Sequence, residues 1–170
     1  MVGRGLAVAA LALVLDQLSK LALLRHFHEA GCAVHQETLT PFLKLVLICN
    51  TGVSFGLFNR TGFGAAVFAL AAAIVVAVLV FWLARVRSRF LAAAIGLIIG
   101  GAVGNVVDRL RLGGVVDFLY FHAGAWYWPA FNLADSAICL GVAAMLLDGL
   151  WLRRSPPQTS SGEDIRHDRA

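Results

Sequence analysis

The chain has 170 residues, 59% of them hydrophobic and 14% charged, where soluble domains carry about a quarter charged residues. The apolar residues lie in long unbroken blocks, so lipid is the expected solvent for most of a single membrane domain. The net charge of +4 comes from arginines scattered between those blocks and in the tail, which speaks against a basic nucleic-acid-binding face.

Four blocks reach the roughly 20 residues a helix needs to cross a bilayer: residues 6–24, 63–84, 90–110 and 130–152. The expected fold class is an all-α membrane protein of four transmembrane helices in residues 1–154, with a small sheet between helices. In the first block Asp16 and Lys20 stand four residues apart on one helical face. They read as a structural ion pair, or else as contacts to a substrate headgroup or to catalytic groups. Asp16, Lys20 and Glu29 also break the apolar region that would make this block a signal peptide ahead of Gly31-Cys32.

In the following segment, 25–62, His26, His28 and His35 are spaced too irregularly for a metal site. Cys32, Cys49 and Cys139 are too few and irregular for a disulfide framework or a metal motif and are expected to be packing residues. Residues 41–49 and 115–121 are rich in β-branched and aromatic types and too short to span, which predicts strands of a sheet at the outer membrane surface.

The second block carries no charge over residues 62–83 and should face lipid. The third brings Gly96, Gly100, Gly101 and Gly104, spaced for close helix approach. It ends in Asn105-Val106-Val107-Asp108-Arg109, where Asp108 and Arg109 are helix neighbours that cannot face each other, so each needs a partner elsewhere. Arg109 and Arg111 lie beside carboxylates and are expected to pair within a site. In 111–129, Asp117 follows a Gly113-Gly114 hinge, and Trp126, Tyr127 and Trp128 fit an interfacial anchor. Asp135 opens the fourth block; Asp148 lies about 20 Å further along the same helix and is a boundary residue. The tail, 155–170, has no apolar face and is expected to be disordered and cytoplasmic.

Arg4, then Arg85, Arg87 and Arg89, then Arg153 and Arg154 place both termini in the cytoplasm by the positive-inside rule, against Arg25, Lys44, Arg60, Arg109 and Arg111 on the other side. Segments 25–62 and 111–129 would then face outward.

Ionisable residues in a bilayer are costly and mark function by default. The loop between Asp117 and Asp135 is long enough to turn back and bring both carboxylates to the outer membrane edge. Two carboxylates close together in a low-dielectric site share a proton, and such a pair can act as base toward water and acid toward a leaving amine. That is aspartyl peptidase chemistry. Spacing leaves alternatives open: Asp135 as a helix cap, Asp117 as a partner of Arg109 or Arg111, and Asp108 instead of Asp117 beside Asp135. Ser54, Ser136 and the histidines form no Gly-x-Ser-x-Gly or His-Glu-x-x-His pattern.

Five phrases stand in order along the chain: Asp16-Gln17-Leu18-Ser19-Lys20, Asn50-Thr51-Gly52-Val53-Ser54-Phe55, Gly104-Asn105-Val106-Val107-Asp108-Arg109, Val116-Asp117-Phe118 and Phe131-Asn132-Leu133-Ala134-Asp135. With them the chain resembles the bacterial signal peptidase II family, the lipoprotein signal peptidases. The resemblance implies an inner-membrane aspartyl endopeptidase that removes signal peptides from diacylglyceryl-modified prolipoproteins, cutting before the lipidated cysteine. It chooses Asp117 and Asp135 as the catalytic pair over Asp108. It gives Asn105, Arg109 and Asn132 the substrate backbone and the support of the site, Asn50 and Gly52 a loop facing it, and Asp16, Lys20 and Asp108 supporting positions. It also implies a periplasmic β-cradle and an amphipathic periplasmic helix, although residues 25–40 show no clear amphipathic face. The implied partners are prolipoprotein substrates and membrane lipids, with no metal or cofactor and a monomer as the expected state. Where the family usually has Ala-Ala or Ala-Ser after the glycine, this chain has Val53-Ser54, and the β-branched Val53 bears on loop packing and substrate preference. The rival readings are a small membrane transporter, which needs polar residues along several helices, and a non-catalytic scaffold.

Overall fold

The structure, a computed structural model, describes residues 1–51 and 63–152. Its elements run α1 (Val2–His26), β1 (His35–Thr40), β2 (Leu43–Asn50), α2 (Phe63–Leu83), α3 (Arg89–Leu112), β3 (Val115–Ala123), β4 (Trp126–Tyr127) and α4 (Leu133–Leu152).

Small residues decide how the helices meet. A Cβ on Gly100 would run into the carbonyl of Ala9 in α1, and one on Gly101 into the carbonyl of Ala134 in α4. Glycine at these adjacent positions lets α3 press its backbone against two neighbours at once. Between α1, α2 and α3 lies an apolar core of Ala9, Leu79, Leu83, Ala92, Ile95, Ile98 and Ile99. Of the window of α3 that is apolar enough to span a membrane, 56% is buried, against 28% for α1 and 17% for α4, so α3 is the central helix.

The polarity of the molecule is inverted relative to a soluble protein. Leu11, Leu18, Leu70, Phe81, Leu140 and Leu146 are exposed, whereas Asp16, Lys20, Asn105, Asp108, Asp117 and Asn132 are buried. Lipid favours this arrangement and water opposes it. Among the described residues, α1, α3 and α4 are long and apolar enough to cross a membrane; α2 is 21 residues long and carries no charge.

Ser88 caps α3 by accepting from the Leu91 amide at 3.2 Å, and Gly113, in the left-handed region at φ 77°, ends it. The Gly113-Gly114 turn sends the chain directly into β3. The four strands form one antiparallel sheet in the order β1-β2-β3-β4. It sits on the end of α1 through Leu23, Leu47, Val116 and Phe118, with Phe27 packed against them.

Three expectations are corrected. Residues 27–40 hold no amphipathic helix; they form a turn and then β1, whose backbone pairs with β2 through Gln36↔Val46 and its neighbours. Its polar composition hid that strand. Cys32 and Cys49 are not packing residues but form a disulfide, with Cα atoms 5.4 Å apart, inside the ordinary range. The β1–β2 hairpin folds the chain back and brings them together. Closing a loop with a sequence separation of 17 contributes about 3 kcal/mol on the chain-entropy account. Cys139 is free and exposed on α4. Finally, α4 begins at Leu133, not at residue 130, because Phe131 is drawn into a bridge with Leu119 of β3. Gly52, Val53, Ser54 and the tail 155–170 lie outside the described residues.

Candidate active site

The bridge at Phe131 builds the site. The Phe131 carbonyl accepts from the amides of Phe118 at 3.0 Å and Leu119 at 2.9 Å, and the Phe131 amide donates to the Leu119 carbonyl at 3.1 Å. The start of α4 is thereby laid against β3, two residues from Asp117.

Asn132, fully buried, follows immediately and touches both carboxylates. Its Nδ2 donates to Asp117 Oδ1 at 2.7 Å. Its backbone amide donates to Asp135 Oδ2 at 3.3 Å, and its Oδ1 accepts from the Asp135 amide at 2.9 Å. This reciprocal pair is a capping box at the start of α4, so Asp135 does serve as a helix-start residue. Its other oxygen remains for a different partner: Asn105 of α3 donates to Oδ1 at 2.9 Å. Asn50 of β2 donates to Asp117 Oδ2 at 3.1 Å. Each of the four carboxylate oxygens therefore has a nitrogen donor, contributed by three asparagines on three different parts of the chain.

Asp117 is only 3% exposed, and burial pushes its carboxyl up from the ordinary 3.8 to about 6. The negative charge of Asp135 adds to the rise, while the hydrogen bonds from Asn50 and Asn132 and the charge of Lys20 oppose it.

Behind the asparagines lies a buried charge cluster. Lys20 Nζ sits 2.7 Å from both Asp16 Oδ2 and Asp108 Oδ2, and 3.4 Å from Asn105 Oδ1. Asp16 Oδ1 also accepts from the Ala134 amide at 2.9 Å, one of the amides that the first turn of α4 cannot satisfy itself. Asp108 accepts from Gln17 Nε2 at 2.9 Å and from the Val116 amide at 3.2 Å. Thus Asp16 pins the helix carrying Asp135, and Asp108 pins the strand carrying Asp117. Asp108 is engaged by Lys20, Gln17 and Val116, whereas Asp117 and Asp135 share Asn132. Gln17 was not singled out by sequence reasoning, although it sits inside the first motif between Asp16 and Lys20.

Among the described residues no ion pair joins Arg109 or Arg111 to Asp117. Arg109 Nη1 donates to the Asn105 carbonyl at 3.1 Å, its guanidinium carbon lies 5.7 Å from the Phe68 ring centroid, and its buried Nε has no hydrogen-bond partner among the described residues. Arg109 and Asn105 line an otherwise apolar groove of about 280 Å³ with Phe68, Ala71, Ala72, Val75, Ala102 and Ile138. A second cleft of about 350 Å³ opens over Asp117, lined by Ile48, Cys49, Asn50, Thr51, Pro129 and Ala130. The histidines form no cluster with metal-ligand geometry among the described residues; His26 pairs with Glu37 and His35 with Glu29, each at 2.8 Å.

The family model described as signal peptidase (SPase) II matches residues 8–151, a range holding every residue of this site. The chain is 47% identical over 149 residues to the lipoprotein signal peptidase of Methylobacterium sp. (strain 4-46), covering 86% of this chain and 88% of that protein. It is 42% identical over 168 residues to the lipoprotein signal peptidase of Methylorubrum extorquens (strain PA1), covering 98% and 96%. Its fold is similar to a bacterial membrane enzyme solved by the in meso method at 1.9 Å resolution, with TM-score 0.72 and 26% identity over 87% of this chain and 93% of that one. A second such structure, at 2.3 Å, has TM-score 0.71 and 24% identity over 98% and 95%. The chain belongs to the signal peptidase II family.

Proposed function

We propose that this chain is a membrane-embedded aspartic endopeptidase that removes signal peptides from diacylglyceryl-modified prolipoproteins, cutting before the lipidated cysteine, with Asp117 and Asp135 as its catalytic pair. The observation that carries the pair is Asn132, hydrogen-bonded to both carboxylates at once.

The raised affinity of Asp117 for a proton suits a pair that holds one proton between two carboxyls. The ionised carboxyl takes a proton from water as its oxygen attacks the scissile carbonyl. The protonated carboxyl hydrogen-bonds the carbonyl oxygen, and a proton passes to the amine nitrogen as the C–N bond breaks. The donors from Asn50, Asn105 and Asn132 fix the rotamers, so neither carboxylate must reorganise during the reaction. Arg109, with an Nε donor unused among the described residues at the wall of the apolar groove, is suited to hold a substrate carbonyl. The groove accepts an apolar segment of the substrate beside the pair, and its lipid anchor fixes the depth of the scissile bond. Asp16, Lys20 and Asp108 support the site from behind, and Gly52 keeps the role implied by its motif, a loop residue facing the site.

For the membrane arrangement we infer four spans, with α2 as the lipid-facing one, both termini and the tail 155–170 on the cytoplasmic side of the bacterial inner membrane, and the sheet on the periplasmic side. The positive-inside rule supports this orientation, and so does the Cys32–Cys49 disulfide, since such bonds persist outside the reducing cytoplasm. One chain carries both carboxylates, so a monomer suffices. A transporter reading is disfavoured because α2 carries no charge.

Asp117→Asn and Asp135→Asn should each abolish cleavage of a lipidated prolipoprotein while the protein still accumulates in the membrane. Normal cleavage by both variants would end the pair assignment.

A further inference from the structure

The disulfide sits where its position bears on the active site. Cys49 lines the cleft over Asp117 and directly precedes Asn50, the donor to Asp117 Oδ2. The β2–β3 ladder is interrupted between Leu45 and Ile48 and resumes only for the final pairs Ile48↔Asp117, Cys49↔Val116 and Asn50↔Val115. The end of β2 is thus held by a short ladder beyond an irregularity, and a second attachment matters there.

Cys32 supplies that attachment from firm ground. The turn before it is bonded to the end of α1, with the Glu29 amide donating to the Leu24 carbonyl at 2.8 Å and the Phe27 amide to the Leu23 carbonyl at 3.0 Å. Phe27 and Ala33 pack on the cluster of Leu23, Leu47, Val116 and Phe118. The covalent bond therefore runs from the end of α1 to the tip of the strand that presents Asn50.

We propose that the Cys32–Cys49 disulfide is a positioning element of the active site, holding Asn50 against Asp117, so that peptidase activity and its pH profile depend on whether the bond is closed. This rests on reading Asp117 as catalytic. Among the described residues, the charged groups around Asp117 are Asp135 of α4, Lys20 of α1, and Asp108 and Arg109 of α3; none belongs to the disulfide segment, so opening the bond acts on Asp117 through Asn50. The Asn50 hydrogen bond favours the ionised carboxyl; its loss leaves Asp117 protonated to higher pH.

The test uses the full chain in detergent and a lipidated prolipoprotein. Dithiothreitol cleaves the S–S bond into two thiols, giving up two electrons and two protons and ending as its own cyclic disulfide; excess oxidised glutathione closes the bond again by exchange. Mass spectrometry after maleimide treatment should find Cys32 and Cys49 labelled only after reduction. Reduction, and the double substitution Cys32→Ser with Cys49→Ser, should lower kcat/KM about tenfold and move its alkaline limb up by about one pH unit, the scale of one hydrogen bond to a carboxylate. Reoxidation should restore the wild-type profile. In an Asn50→Ala background, opening the bond should move the limb no further, as a shared route requires.

Superimposable pH profiles for the oxidised and reduced enzyme overturn the proposal, as does labelling of both cysteines before reduction, or a full further shift in the Asn50→Ala background. Failure of the catalytic reading is separate: it appears as cleavage by Asp117→Asn, whatever the state of the disulfide.

Discussion

Asn132 Nδ2 lies 2.7 Å from Asp117 Oδ1, with both residues buried, and the same asparagine closes a capping box with Asp135. One side chain thus performs a structural task, starting α4, and orients the carboxyl pair. Asn132→Ala should lower kcat/KM about 10²–10³-fold by releasing preorganised donors, and cost about 1–3 kcal/mol through the lost cap and the unsatisfied neighbours. Steady-state kinetics and thermal denaturation in detergent separate the two effects. An Asn132→Ala enzyme with wild-type kcat/KM would mean that the asparagine does not orient the pair.

The elevated carboxyl of Asp117, about 6 against an ordinary 3.8, predicts a pH dependence of activity. A pair that must retain one proton loses it as pH rises, so kcat/KM for the free enzyme should fall as pH passes about 6. The limb belongs to the pair as a unit. A rate independent of pH between 5 and 8 would contradict the shared proton.

The same shift has a sign in stability. Between about 4 and 6 the folded protein binds more protons at Asp117 than the unfolded chain does, so raising pH weakens folding. The contribution is fully present below about 4 and lost as pH climbs through about 6, amounting to as much as about 3 kcal/mol. Thermal midpoints should show Asp117→Asn gaining on wild type across that window; a gap that does not change with pH would contradict the shift.

Lys20 stands between two buried carboxylates, and Lys20→Met should destabilise the protein by about 3–5 kcal/mol by leaving those charges uncompensated. Adding Asp16→Asn and Asp108→Asn should recover part of that loss. If the triple variant is less stable than Lys20→Met alone, uncompensated charge is not the cause.

A Cβ at Gly104 would lie 2.6 Å from Asp16 Oδ2, a carboxylate that Lys20 and Gln17 hold in place. Gly104→Ala should therefore cost about 1–3 kcal/mol, whereas Gly3→Ala, with open space around the added carbon, should be close to neutral. Thermal shifts of the two variants check the contrast, and equal shifts would rule out the clash.

The helices could be read from the sequence because lipid demands long apolar blocks, and the pocket residues because charges do not enter such blocks without reason. The strand β2 stood out through its β-branched and aromatic residues, but β1, His-Gln-Glu-Thr-Leu-Thr, did not, since its stability comes from pairing with β2 and not from its own burial. The disulfide was missed for a related cause: Cys32 and Cys49 become neighbours only once the hairpin has folded. The Asp16–Lys20 pair was visible at helical spacing. The bonds from Asp16 to the Ala134 amide and from Asp108 to the Val116 amide join distant segments and leave no trace in local pattern. The motifs already named Asn50, Asn105 and Asn132 beside the two aspartates; which carboxylate oxygen each asparagine holds became visible only in the structure.

The bond from the Ala134 amide to Asp16 ties α4 to α1, helices at opposite ends of the described residues. Until α4 arrives, Asp16 lacks that donor, and Asn105 has no Asp135 to hold. Docking of α4 satisfies a buried anion and at the same time brings Asp135 to Asn105, so the carboxyl pair that the proposed chemistry needs exists only in the assembled helix bundle.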